Sequence, residues 1–317
     1  MLTAVLGLTG ALIFGSADFL GGLAAKRMSS LLVTAVAAAS GLVALLLTLP
    51  FVAGVWSPTA VLWGGLSGVS GAIAISLLYA CLAIGPMSIL SPLTAVVSAV
   101  VPMTVGLAGG DRLAPIGYWA LGLALVAVVL VGFVPERGAV RPSLLGVLMA
   151  LGSGTMIGAF MVMIDLTPAD SGLVPLVMNR AVNASIMFSV VGLLALVALR
   201  RRRALVPARS DSDSDSDSDS ASASASMPAT DAPPPPRSTL AIGLRLAVAC
   251  GVLDVLANVL LLLGMRAGDL SVMSVLTAMY PAGTILLAAV VLRERIAPVQ
   301  WLGLALALTA AGMLALA

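Results

Sequence analysis

Asp111-Arg112-Leu113-Ala114-Pro115 returns as Glu294-Arg295-Ile296-Ala297-Pro298, 183 residues further along the chain. In a sequence this rich in aliphatic residues a match of Leu on Ile carries little information. An acid-Arg-apolar-Ala-Pro string carries much more. At the same offset Gly85, Ser88, Ser91, Leu93, Thr94 and Ala95 fall on Gly268, Ser271, Ser274, Leu276, Thr277 and Ala278. Upstream, Gly68-Val69, Ala74 and Leu77-Leu78 fall on Gly251-Val252, Ala257 and Leu260-Leu261. An internal repeat is the sequence signature of a duplicated architecture.

What is repeated is membrane helix. Sixty per cent of the 317 residues are apolar and 9% are charged, against roughly 25% charge in a soluble domain. A bilayer is the solvent such a chain requires. A span needs about 20 mainly apolar residues, and ten windows qualify: 3–24, 31–52, 59–82, 87–108, 113–134, 143–164, 172–199, 241–264, 270–291 and 297–316. Backbone inside lipid must satisfy its own hydrogen bonds, so continuous apolar runs of this length predict helices. The fold class expected is all-α integral membrane, with ten helices.

The first two spans match the sixth and seventh at a shorter offset of 139 to 141 residues. The difference between the offsets is close to the length of one segment, 200–240. This segment runs from Arg200-Arg201-Arg202-Arg203 through Ser-Asp pairs to Pro233–Pro236. It cannot bury apolar area and is expected to be a disordered insertion in the second repeat. The predicted domains are therefore a five-helix repeat over 1–135 and a second over 143–317. An odd number of spans per repeat inverts the second copy, an architecture common in secondary transporters.

Residue absences exclude several chemistries. There is no histidine, so there is no HExxH zinc site and no His-based triad. Lys26 is the one lysine and is followed by Arg27, which excludes a Walker loop. Gly109-Gly110-Asp111 approaches a Gly-x-Gly-Asp protease string, but Ala108 stands at its first position. Neither an enzyme nor a bound cofactor is expected. Cys81 and Cys250 lie in apolar runs and read as packing residues.

An ionisable group inside a span costs about 2.5–3.5 kcal/mol on insertion scales and is a functional candidate by default. Three stand clearly within spans: Asp18, Arg180 and Asp254. Asp254 lies mid-span with Asn258 one turn along, so a proton-exchanging carboxylate and an Asp–Arg tie between helices are both open. Its counterpart in the first repeat is Gly71. Asp18 aligns with Ile157 and is either a coupling group or a carboxylate neutralised by Lys26 or Arg27. Arg180, between Asn179 and Asn183, would face an anionic substrate group or Asp254. Tyr280-Pro281 can interrupt the ninth span and bare its carbonyls, and Pro92 and Pro102 could do the same in the fourth. Glycines such as Gly64-Gly65 and Gly68 read as close helix packing.

With Phe14-Gly15-Ser16-Ala17-Asp18-Phe19 in the first span, Ala278–Pro281 in the ninth and the two acid-Arg strings, the chain resembles the drug/metabolite transporter superfamily, in its ten-span group with two EamA domains. The resemblance implies efflux or exchange of small metabolites or drugs across the cytoplasmic membrane, with both termini cytoplasmic. The charges point the other way. Lys26, Arg27, Arg137, Arg141, Arg293, Arg295 and the arginines of 200–245 share one side, and Arg112 and Arg266 hold the other; the positive-inside rule then puts both termini outside.

The expected partners are the lipid bilayer, a small-molecule substrate and protons, with no nucleic acid; a homodimer is compatible with the sequence. The leading expectation is a secondary carrier working by alternating access. The alternative is a membrane sensor or scaffold subunit whose segment 200–240 docks a soluble protein.

Overall fold

The structure is a computed structural model that describes residues 2–52, 54–84, 87–132, 143–205, 237–293 and 297–316. Among them are eleven α-helices: α1 (Leu2–Ala25), α2 (Ser30–Thr48), α3 (Pro58–Ile84), α4 (Met87–Gly109), α5 (Pro115–Gly132), α6 (Leu144–Asp165), α7 (Val174–Leu205), α8 (Arg237–Ala267), α9 (Leu270–Thr277), α10 (Tyr280–Val291) and α11 (Pro298–Leu316). Short 3-10 turns at Leu49–Phe51 and Ala169–Ser171 lead into α3 and α7. No strand occurs among the described residues.

The protein is an all-α integral membrane protein. Nine segments are long and apolar enough to cross a bilayer, one of them formed by α9 and α10 together, and α11 supplies a shorter apolar helix. The distribution of side-chain size fits a lipid solvent. Bulky groups such as Trp119, Leu144 and Leu308 point outward, with 78%, 76% and 71% of their surface exposed. The interior is built from small residues, with Ala24, Ala35, Ala120, Ala124 and Ala310 wholly buried. Without water to drive association, helices in lipid gain from close backbone approach, which small residues permit. At Gly251 a Cβ would collide with the Ala37 carbonyl of α2, and at Gly15 with the backbone of Tyr280 and, at 2.6 Å, the Thr284 nitrogen of α10.

The packing comes in matched pairs across the chain's midpoint. α1 lies on α8 and α3 on α6; α2 lies on α8 and α3 on α7; α1 lies on α9 and α10, and α4 on α6. α2 meets α7, α4 meets α9 and α5 meets α11.

Three sequence expectations are corrected, and one is met. Residues 200–205 and 237–240, expected in a disordered loop, are helical: they prolong α7 and begin α8. Arg, Ala and Leu are strong helix formers, so a helix already nucleated in the bilayer continues past it. The part of that segment between 206 and 236 lies outside the described residues, as do Glu294-Arg295-Ile296. The ninth span is interrupted into α9 and α10 at Tyr280-Pro281, the place the sequence offered for a break. The fourth stays a single helix through Pro92 and Pro102. Asp18 has neither Lys26 nor Arg27 as an ion partner: Lys26 is exposed, and Arg27 Nη1 donates to the Leu23 carbonyl at 2.9 Å.

The two ends of the bundle differ in charge. The end holding the N-terminus carries Asp111, Asp165, Asp170 and Asp269 with Arg112 and Arg266; the opposite end carries Lys26, Arg27, Arg200, Arg237, Arg245 and Arg293. They also differ in closure. At the N-terminal end two buried apolar clusters join the helices: one, including Leu45, Ile164, Leu173, Leu176, Met265 and Met273, links α2, α6, α7, α8 and α9, and another, including Ala4, Leu121, Val272 and Leu314, links α1, α4, α5, α9 and α11. At the opposite end the buried clusters are separate, Ala24, Val33 and Ala247 on one side and Cys81, Leu90 and Ala150 on the other.

Candidate functional site

Between the halves lies a cavity of about 240 Å³. Asp18, Asn179, Arg180, Asp254, Asn258 and Tyr280, six positions spread over 263 residues of sequence, all line it. Each reaches it for a local reason. Asn179 and Asn183 are one turn apart on α7, with Arg180 between them, so one face of that helix presents amides and a guanidinium together. Asp254 and Asn258 repeat this spacing on α8. Asp18 comes from α1, which packs closely on α8.

Asp254 is held. Arg180 Nη2 donates to its Oδ2 in an ion pair. Asn258 Nδ2 donates to the Asp254 carbonyl at 2.7 Å and lies 3.5 Å from its Oδ2. The pair retains some access to the cavity, 15% of the Arg180 side chain and 27% of the Asp254 side chain being exposed. Asn179 is fixed from the other side, donating to Ser67 Oγ at 2.8 Å, while Ser67 donates to the Gly64 carbonyl at 2.7 Å.

Asp18 is not held. Its side chain is exposed, it lines the cavity, and it makes no hydrogen bond or ion pair with any described residue. With two carboxylates against one guanidinium, the site's formal charge is short of one cation.

Tyr280 stands at the first position of α10, where the ninth span breaks. The Ala278 N–H turns back to Ser274 at 3.1 Å, and the Met279 N–H to Leu276 at 3.2 Å. Pro281 then has no N–H to give, and the Ala282 N–H is taken by the Met279 carbonyl at 2.9 Å. The carbonyls of Thr277 and Ala278 are left without their usual helical donors beside the cavity.

The sequence counterparts of the acidic residues, Gly71 and Ile157, line the cavity too. With Ala74, Ile75 and Leu78 of α3 they form a wall without charge. The site is thus lopsided: charged and amide groups face an aliphatic surface. Sequence reasoning named Asn183 only as a neighbour of Arg180, yet this buried residue makes no hydrogen bond with any described residue and lines the same cavity. Its spacing from Asn179 was the available signal.

Residues 223–316 match the family model of the EamA-like transporters. That EamA-like domain contains α8 to α11, and with them Asp254, Asn258 and Tyr280. A solved crystal structure superposes on the chain with a TM-score of 0.62 at 16% identity, over 99% of this chain and 98% of the other. At that identity the likeness is one of fold. No curated protein matches the chain in sequence. The EamA-like match supports a membrane transporter, and the apolar helices make the chain a multi-pass membrane protein.

Proposed function

We propose that the protein is a secondary carrier that moves a small polar metabolite or drug out of the cell across the cytoplasmic membrane. The cavity between the halves is its substrate site and Asp18 its coupling group. The observation that carries this reading is the contrast between the two carboxylates: Asp254 is neutralised by Arg180, whereas Asp18 is exposed in the same cavity with no partner among the described residues. A proton or a substrate cation on Asp18 restores neutrality in a low-dielectric site, where an uncompensated charge is costly. Asp254, which the sequence also offers as a proton-exchanging carboxylate, becomes in this reading the group that orients Arg180.

Cavity size supports a small substrate, since drug-sized sites occupy roughly 300–1,000 Å³. The matched helix pairs and the repeated strings support two inverted repeats, and the cross-half apolar clusters at the N-terminal end support a state closed on that side. Charge bias supports placing the basic end in the cytoplasm, with both termini outside.

The test is untargeted profiling of the medium from cells expressing wild type, Asp18→Asn or Asp254→Asn at matched membrane levels. Wild type is expected to enrich a small set of metabolites and Asp18→Asn to abolish that enrichment. Full export by Asp18→Asn would refute its coupling role, and no change with wild type would refute efflux.

A further inference from the structure

The acid of the repeated string reaches a place that the cavity does not account for. Asp111 lies in the connection between α4 and α5, and its Oδ2 accepts from the Ser271 N–H at 3.0 Å and from Ser271 Oγ at 2.7 Å. Ser271 Oγ also lies 3.0 Å from the Met103 carbonyl. A hydroxyl has one proton to give, and the carboxylate is the nearer and more strongly accepting partner.

The local chain is shaped to deliver this carboxylate. Gly110 takes a φ of 118°, a conformation L side chains rarely adopt, and the Asp111 N–H returns to the Gly106 carbonyl at 3.0 Å. A Cβ on Gly106 would meet the Asp111 carboxylate and would stand 2.6 Å from Ser271 Oγ. Meanwhile the residue expected to cap α9 locally does not: Asp269 stands at the N-cap and makes no side-chain cap bond. The first turn of α9 is capped from the other half of the molecule instead.

What α9 carries makes this cap consequential. It is buried from Leu270 to Leu276. Its Leu270 and Met273 belong to an apolar cluster closing the N-terminal end, and its Ser274 and Thr277 line the cavity.

We propose that Asp111 is a positioning residue, a clamp in trans that holds the half-helix α9 against the first half and keeps the cavity shut toward the N-terminal end. Access from that side requires the Asp111–Ser271 contact to part. This rests on the carrier reading for its purpose, but its test needs no substrate.

The experiment uses the full chain in membrane vesicles of both orientations, with Cys81 and Cys250 replaced, Thr277→Cys as reporter and a cleavable N-terminal tag to assign the faces. A charged methanethiosulfonate reagent applied from the N-terminal face should label the Asp111→Asn background about tenfold faster, the scale of a lost charge-assisted hydrogen bond. Labelling from the opposite face should not change. Asp111→Glu should recover much of the protection, and Asp269→Asn should leave the rate as it was.

Equal rates with and without Asp111→Asn in a monodisperse protein would overturn the clamp. So would an equal rise from both faces, which marks general loosening. If Asp111→Asn does not fold, Ser271→Ala, which removes only the hydroxyl, is read in the same way. A chain that transports nothing but shows the one-sided rise keeps the clamp and loses the carrier reading; a carrier with equal rates does the reverse.

Discussion

Arg180 and Asp254 are bound to one another from helices whose chief neighbours differ: α7 packs most on α3 and α8 most on α1, while both touch α2. Their ion pair bridges the cavity wall where little else joins the two helices. Such a pair contributes little net stability, because desolvation offsets its attraction, but losing one partner strands a charge.

Asp254→Asn and Arg180→Met are therefore each expected to lower the melting temperature in detergent, and the double variant to recover most of the loss. The single losses should fall below the roughly 3–5 kcal/mol of a fully buried pair, since both side chains keep some exposure. A double variant as unstable as the sum of the singles would remove the pairing argument.

Asp18→Asn should behave differently. No described residue depends on this carboxylate, so its neutralisation is expected to leave the melting temperature unchanged or raise it. Transport, assayed against external pH with whichever substrate profiling identifies, should lose its pH dependence. A large drop in stability would show that Asp18 is structural.

Helix crossings rank the glycines. Gly251→Leu and Gly15→Leu should each destabilise by about 1–3 kcal/mol or more, the usual cost of overpacking, because backbone atoms already occupy the space a side chain needs. Gly22→Ala, with nothing within 4 Å of the added carbon, should be neutral. Thermal unfolding of the three variants in one detergent checks the order.

Asp269 supplies a pH prediction outside the spans. Its carboxyl is raised above the ordinary carboxylate range, first by desolvation and then by the charge of Asp111. A raised folded-state pKa means that the folded protein holds the proton more tightly, so ionisation costs stability as pH climbs through the folded value. Asp269→Asn is expected to raise the melting temperature slightly near neutral pH and to have no effect below the unfolded carboxylate value, about 4. A gain that persists at low pH would assign it to something other than this charge.

The membrane helices were legible because hydropathy is a local signal: each span announces itself in about 20 residues. The break at Tyr280-Pro281 was legible for the same reason, since a missing N–H is a property of one residue. Pro92 and Pro102 show the limit of that logic; the chemistry is identical, yet α4 runs on, packed against α6 and α9. The six cavity residues could be named singly, because charge and amide groups in lipid are costly wherever they fall. Which carboxylate would be neutralised could not be read, since that depends on how α7 and α8 converge. The Asp111–Ser271 contact was hidden most deeply. Both residues stood in the repeat alignment, Asp111 on Glu294 and Ser271 on Ser88, but a one-dimensional match says nothing about which copy touches which, across 160 residues.

The unpaired carbonyls of Thr277 and Ala278 bear on speed. To swing one half of a continuous helix against the other, a protein must first break backbone bonds, and each rupture adds to the activation barrier. At this joint the bonds were forgone when the chain folded. Under the carrier reading α10 would tilt relative to α9 without breaking these two bonds, and the slow step would fall at contacts that must be unmade, such as the one Thr284 Oγ1 makes to the Gly15 carbonyl at 3.1 Å.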